Sequence, residues 1–178
     1  MVALRGAFSG ASIVWAAALP LATFAASRPA ASSVVALLTL AVYAIGSVIC
    51  HQRPERSFYL WSHQMPVCAR CTGIYIGAAL AAIVLAFRKS GAARPRRADP
   101  STVVLSRSKD ELRAGTWVGR SASMVLALAA LPTIATLAYE WTTGVTPSNW
   151  IRAASGLCLG AAVAALISDC GHASTRAR

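Results

Sequence analysis

The residues best suited to chemistry fall in one short stretch of the chain. It holds three of the five cysteines, Cys50, Cys68 and Cys71, and two of the three histidines, His51 and His63. Thiolate and imidazole are the usual ligands of zinc, and a Cys-x-x-Cys pair supplies two ligands from one turn. Either histidine could complete the set. We predict a site for zinc or another transition metal built from Cys50, His51, Cys68 and Cys71.

The same cysteines suit two other kinds of chemistry. A Cys-x-x-Cys pair at a helix start has a lowered thiol pKa, because the helix dipole and the nearby Arg70 favour the thiolate. Cys50 would then be the partner cysteine of a thiol–disulfide redox protein that passes electrons to a quinone. The third alternative is a structural or assembly protein in which a plain disulfide staples the loop. The sequence leaves these alternatives open.

Three arginines flank the cysteines. Arg53, Arg56 and Arg70 are offset in this stretch only by Glu55. Because a guanidinium group is planar and presents paired donors, it suits phosphate and carboxylate groups. We predict that these arginines bind an anionic substrate, such as an anionic lipid headgroup or another phosphate-containing ligand. The alternative is that they are interfacial arginines that meet lipid phosphates generally.

A second polar group lies towards the C-terminal end, at Glu140, Asn149 and Arg152. An ionisable residue in or beside a membrane span is a functional candidate by default. We predict Glu140 and Arg56 as catalytic residues, with Glu140 acting as general base, ligand or arginine partner. Asn149 and Arg152 join the predicted substrate contacts. The alternative is a Glu140–Arg152 pair that merely closes the last helical hairpin.

Membrane helices must position these residues. The chain is 56% hydrophobic and only 13% charged, where a soluble domain carries about 25% charged residues. Runs long enough to approach the roughly 20 residues of a membrane-spanning helix occur five times. The predicted helices cover 8–26, 32–50, 71–87, 121–140 and 151–169. We predict an all-α polytopic membrane bundle, a single integral domain over 1–178 in contact with the lipid bilayer.

Charge placement predicts the orientation in the membrane. The net charge of +11 lies between the hydrophobic runs, so topology explains it better than binding to nucleic acid. Segment 88–120 holds nine Lys/Arg and three acidic residues, which predicts a mobile, basic cytoplasmic loop. Alternating five helices gives an outside N-terminus and a cytoplasmic C-terminus in the cell (inner) membrane. The first helix resembles a signal peptide but is long, so we expect it to be retained.

The third and fifth predicted helices resemble each other. Gly73 and Gly77 correspond to Gly156 and Gly160 at a constant offset of 83 residues. Small residues at every fourth position let helix backbones approach closely. We therefore predict that these glycines form a packing seam. Whether two helical hairpins arose by duplication, or Ala- and Gly-rich helices simply look alike, stays open.

One motif resembles a known family. The residues that carry the resemblance run from Cys50-His51-Gln52 through Arg56-Ser57-Phe58 to Pro66-Val67-Cys68-Ala69-Arg70-Cys71-Thr72-Gly73, with Asn149-x-x-Arg152 and Gly156-x-x-x-Gly160 later in the chain. This pattern is similar to the bacterial and archaeal membrane proteins called domain of unknown function 2085. It covers most of the chain from Cys50 onward, except segment 88–120. The resemblance implies a membrane protein and leaves the activity open.

Overall fold

The computed structural model describes residues 2–28, 32–91 and 107–176. This part of the chain contains five α-helices and one β-hairpin. The elements in chain order are α1 (Val2–Ala26), α2 (Ser33–Ile49), a short 3-10 turn (Pro54–Arg56), β1 (Ser57–Leu60), β2 (His63–Cys68), α3 (Ala69–Gly91), α4 (Arg107–Thr143) and α5 (Asn149–Arg176). The predicted helical membrane bundle is confirmed, and the hairpin is a feature that the sequence analysis did not predict.

Among the described helices, four are long and apolar enough to cross a membrane. These spans are Gly6–Ala26, Ala69–Arg88, Ala122–Thr143 and Asn149–Ser168. The exposed apolar side chains on these spans form the surface that contacts the lipid bilayer. The fifth predicted span corresponds to α2, which is apolar but has only 17 residues.

The segment predicted as a basic loop, 88–120, is partly helical. Helix α3 continues to Gly91, and α4 begins at Arg107, well before the predicted membrane span. Residues 92–106 lie outside the described residues. The predicted mobility of this segment stays a prediction.

Helices α3 and α5 lie parallel and pack at a seam of glycines. A Cβ atom on Gly73 would overlap the backbone of Ala153, and one on Gly156 would overlap the backbone of Arg70. At the offset of 83 residues, Ala153 is the counterpart of Arg70 and Gly156 that of Gly73. One turn further along, the same reciprocal contacts join Gly77 to Leu157 and Gly160 to Ile74. The predicted seam is confirmed, and its self-complementary pattern supports a pseudo-two-fold relation between the two helices.

Helix α1 runs antiparallel to α3. The ring of Trp15 packs edge-on against Tyr75 with centroids 6.1 Å apart, and Phe24 packs on Trp61 in the hairpin, with centroids 5.1 Å apart. Because Trp61 precedes α3, the C-terminal end of α1 lies beside the start of α3. The N-terminal end of α1 therefore lies at the same end of the bundle as the C-terminal part of α5.

This direction contradicts one prediction. An outside N-terminus combined with a cytoplasmic C-terminus requires α1 to run parallel to α3 and α5, and it does not. The reason is that α2 does not return along the bundle as a full span. It packs instead on α1 and on β2, at the hairpin end of the molecule.

The hairpin delivers Cys68 to the start of α3. Strands β1 and β2 pair antiparallel, with Leu60 opposite His63. The two turn residues, Trp61 and Ser62, have φ angles of 51° and 65°. Positive φ at both central positions matches the tight turn that suits the twist of paired strands.

Candidate metal centre and cationic cavity

Three cysteine sulfur atoms converge at the end of the bundle that carries the hairpin. The Sγ atoms of Cys50, Cys68 and Cys71 all lie within 4.8 Å of one another. Cys50 directly follows α2, Cys68 ends β2, and Cys71 lies in the first turn of α3. None of the three forms a disulfide. Zinc–sulfur bonds of about 2.3 Å at tetrahedral angles separate two sulfurs by about 3.8 Å, so the cluster has the size needed to hold one ion.

Backbone N–H groups point at two of these sulfurs. The N–H of Cys68 donates to Sγ of Cys50 at 3.2 Å. Sγ of Cys68, at the start of α3, accepts from the backbone N–H groups of Arg70 and Cys71. Such donors stabilise negative charge on sulfur. At Cys68 they favour the thiolate, which is the form of cysteine that binds metals.

The pKa of the Cys68 thiol is lowered from 9.0 to about 5. The largest cause is a hydrogen bond from the Cys71 side chain. The backbone N–H of Cys71, the Cys50 thiol and the backbone N–H of Arg70 act in the same direction, while partial burial opposes them. These surroundings therefore favour the thiolate of Cys68 over its thiol.

The two histidines lie outside this cluster. His51 is exposed and lines the same cavity as the cysteines, but it is not among the grouped ligands of the described residues. His63 lies in the hairpin, where its Nδ1 atom is 3.1 Å from the carbonyl oxygen of Trp61. The structure thus brings together three of the four predicted metal ligands.

The sulfur cluster opens onto a cationic cavity of about 470 Å³. Its lining includes the three cysteines, His51, Gln52 and Trp141, and four arginines, Arg53, Arg56, Arg70 and Arg152. The arginines come from three parts of the chain that meet at this end of the bundle, namely the 3-10 turn with its preceding residue, α3 and α5. Four of the five predicted substrate-binding residues are therefore gathered around one cavity.

Glu140 is the shared counter-ion of three of these arginines. Its Oε1 atom lies 2.7 Å from Nη2 of Arg56 and contacts Nη2 of Arg152. Its Oε2 atom lies 3.8 Å from Nη2 of Arg70, which is too long for a hydrogen bond. The side chains of Glu140 and Arg152 are only 5% and 3% exposed. Three guanidinium groups and one carboxylate leave a local excess of two positive charges.

Hydrogen-bonding capacity remains unused in this group. The buried Nε atoms of Arg56, Arg70 and Arg152 have no hydrogen-bond partner, and neither has Oε2 of Glu140. Leaving a buried polar group unpaired costs about 1–3 kcal/mol. The unused donors and the excess positive charge both suit an anionic ligand.

Asn149 and Arg53 have other surroundings. The side-chain amide of Asn149 donates to the backbone oxygen of Ser57 at 2.9 Å, so it ties the start of α5 to the hairpin and does not line the cavity. Arg53 lies on the cavity wall with 59% of its side chain exposed, 4.0 Å from Glu55. Asn149 supports the site from outside, and Arg53 lies at its solvent side.

Two glutamines that were not among the predicted site residues connect the parts of the site. The amide of Gln52 donates to the carbonyl oxygen of Pro66 at 2.6 Å, and the amide of Gln64 donates to the carbonyl oxygen of Gln52 at 2.6 Å. These bonds hold the segment after Cys50 against β2. The signal in the sequence was the repeated His-Gln-x-Pro, at 51–54 and 63–66. Thr136, which accepts a hydrogen bond from Arg70 at 3.2 Å, carried no such signal.

Comparison with known proteins supports the resemblance. A family model described as "Predicted membrane protein (DUF2085)" matches residues 50–166. An uncharacterized protein of Methanocaldococcus jannaschii is 48% identical over 52 residues, covering 29% of this chain and 33% of that protein. One of Methanothermobacter thermautotrophicus is 63% identical over 30 residues, covering 17% and 27%. The match thus spans a third or less of each curated relative. No solved structure matches the chain significantly.

Proposed function

The chain belongs to the membrane-protein family called domain of unknown function 2085, and we propose that its three clustered cysteines bind one transition-metal ion beside a cavity for an anionic ligand. Zinc is the first choice of ion. The observation that carries the proposal is the convergence of Cys50, Cys68 and Cys71 from three elements to within 4.8 Å. Backbone N–H groups directed at two of these sulfurs support a thiolate cluster.

Three protein ligands leave one position of a tetrahedral ion open. Zinc sites that act on substrates have this arrangement, whereas structural zinc sites are closed by four protein ligands. Because all three cysteines line the cationic cavity, the open position would face it. A bound ion would supply Lewis acidity to a ligand held among the arginines. This fits a metal-dependent membrane enzyme or a carrier of an anionic compound.

The arginines and Glu140 have distinct roles in this proposal. Arg56, Arg70 and Arg152 bind the anion, and Arg53 contacts it at the solvent side. Glu140 neutralises part of their charge and orients them, because its carboxylate oxygens face all three guanidinium groups. The role of Glu140 as a general base, with Arg56 as its catalytic partner, stays a prediction. The geometry favours Glu140 as a positioning residue.

Metal analysis of variants tests the proposal. The full-length protein, purified in detergent, should contain about one ion per chain. Because a metal site needs its full set of deprotonated ligands, Cys50→Ser, Cys68→Ser and Cys71→Ser should each lose most of it. Cys158→Ser removes an exposed cysteine elsewhere on α5 and should keep the ion. His51→Ala should lower the metal content only if His51 supplies a fourth ligand. A wild-type protein without metal would refute the proposal.

A thiol–disulfide redox function is the second candidate. The observation that favours it is the lowered pKa of Cys68, in a Cys-x-x-Cys pair at a helix start. A redox pair resists alkylation only while it is oxidised, so reductant alone should expose it. Metal-bound thiolates instead stay protected in reductant until a chelator is added. We expect the second pattern for at least two of the three cysteines.

The placement of the basic residues and the helix directions together favour one orientation in the cell membrane. The basic segment 88–120 follows α3 and should remain in the cytoplasm, which puts the sulfur cluster and the cationic cavity on the outer side. Because α1 is antiparallel to α3, both termini should be cytoplasmic. Arg5, near the N-terminus, then also obeys the positive-inside rule.

A further inference from the structure

We propose that the anion taken by the cationic cavity is the headgroup of a phosphate-bearing lipid, whose chain occupies a second, apolar cavity on the same helix faces. The inference rests on the proposed anion-binding role of the arginines and is independent of the metal. It names both the chemical class of the ligand and the direction from which the ligand enters.

The apolar cavity lies between α1, α3, α4 and α5. It has a volume of about 480 Å³, and its lining surface is apolar. Ile74 and Ala78 contribute from α3, Ala130 from α4 and Leu159 from α5. A partly open space of this kind in a membrane bundle suits a hydrocarbon chain, because the surface that it presents is apolar.

The two cavities lie in line along α3. Arg70 and Cys71 line the cationic cavity. Ile74, four residues after Arg70, and Ala78, seven residues after Cys71, line the apolar one. Side chains four and seven residues apart share one face of a helix. At 1.5 Å per residue, Ala78 lies about 10 Å deeper than Cys71.

Helices α5 and α4 show the same alignment. On α5, Arg152 lines the cationic cavity, and Leu159, seven residues later, lines the apolar one. On α4, Glu140 binds the arginines, and Leu126, fourteen residues earlier, lines the apolar cavity. Each of these three helices therefore has one face that is charged near the end of its membrane span and apolar deeper in the span.

The depths of the two cavities along the membrane spans match the two parts of a lipid, the headgroup and the hydrocarbon chain. The membrane spans of α3 and α5 begin at Ala69 and Asn149, and that of α4 ends at Thr143. The arginines therefore lie at the level of lipid headgroups, and the apolar cavity lies within the hydrocarbon region. Arg152 is almost fully buried and its Nε atom has no partner. A phosphate group would satisfy such donors and the excess positive charge together.

Binding of two probes by the full-length protein tests the proposal. The protein is purified in dodecyl maltoside, a detergent without phosphate, and the affinities for phosphatidic acid and for inorganic phosphate are measured. We expect tighter binding of phosphatidic acid. Ala130→Phe fills the apolar cavity and should weaken the binding of phosphatidic acid by about tenfold. This is the effect of excluding roughly two methylene groups of the lipid chain from the cavity. It should leave the affinity for inorganic phosphate unchanged, whereas Arg56→Ala should weaken the binding of both probes.

Ala127→Phe is the matched control, because Ala127 lies on the same helix but is exposed and does not line the cavity. It should change neither affinity. Val163→Phe fills the same cavity from α5 and replaces Ala130→Phe if that variant does not fold. The proposal is overturned if both cavity-filling variants bind phosphatidic acid normally, or if inorganic phosphate binds as tightly as the lipid. The metal content of the same samples is measured as well. The lipid-binding proposal and the metal-binding proposal can then fail separately, because a variant can lose lipid binding and still keep its ion.

Discussion

The guanidinium group of Arg56 lies 2.7 Å from the carboxylate of Glu140. This contact joins the 3-10 turn before the hairpin to the last turn of α4. Because Arg70 and Arg152 approach the same carboxylate, Glu140 links the 3-10 turn, α3, α4 and α5 at one point. The candidate site and the packing of the bundle therefore depend on the same residue.

Removing the charge of Glu140 should destabilise the protein. Glu140→Gln leaves the nearly buried Arg152 without its counter-ion, and breaking a buried pair in this way costs about 3–5 kcal/mol. Glu55→Gln is the control, because Glu55 and Arg53 are both more than half exposed and such pairs contribute about 0–1 kcal/mol. The measurement is the free energy of unfolding in detergent. Equal effects of the two variants would contradict a structural role for Glu140.

The glycine seam should not tolerate even one methyl group. A Cβ at Gly77 would overlap the backbone of Leu157, and a Cβ at Gly160 that of Ile74. Gly77→Ala and Gly160→Ala should each cost about 1–3 kcal/mol, because two helix backbones must separate. Gly10→Ala should be neutral or stabilising, since nothing lies within 4 Å of a Cβ there. Normal unfolding of the seam variants would show that α3 and α5 pack differently.

Hydropathy and spacing were sufficient to predict the helices and the cysteine cluster. Uncharged runs can satisfy their backbone groups in a membrane only as helices, so the spans follow from composition. Cys50 and Cys68 lie at the two ends of one short loop, and Cys71 follows a turn later. Their convergence is therefore a local property of the chain.

The remaining features depend on contacts that no local pattern encodes. The hairpin turn at Trp61 and Ser62 lacks the Gly or Asn that usually marks such a turn. The direction of α1 is set by its packing on α3 and the hairpin, because α2 is too short to force an alternating topology. Asn149 was predicted as a substrate contact, but its amide reaches the backbone of Ser57, which is distant in sequence.

The pKa of Cys68 predicts its labelling in metal-stripped, reduced protein. Since the pKa is lowered to about 5, the thiolate should react with iodoacetamide from pH 9 down to about pH 6 and lose reactivity near pH 5. The folded pKa lies below the reference, so the thiolate's contribution to stability is fully present above about pH 9 and falls as the pH drops to 5. In unfolded protein, labelling of the same residue should already decline below about pH 8.5. Identical pH profiles for the two states would contradict the lowered pKa.

Reporter fusions test the direction of α1. Reporters at the N-terminus and after Arg97 should both remain cytoplasmic, because α1 is antiparallel to α3 and the basic segment is retained. A reporter near Trp61 should be exported. Export of the N-terminal reporter would contradict the antiparallel arrangement of α1 and α3.

The most direct test of the metal centre is the X-ray absorption spectrum of the full-length protein at the edge of its bound metal. We expect three sulfur atoms at about 2.3 Å and one lighter atom, which corresponds to three thiolates and one exchangeable ligand. Cys158→Ser should leave this spectrum unchanged. A spectrum with only nitrogen and oxygen neighbours, or a protein without bound metal, would contradict a metal centre formed by Cys50, Cys68 and Cys71.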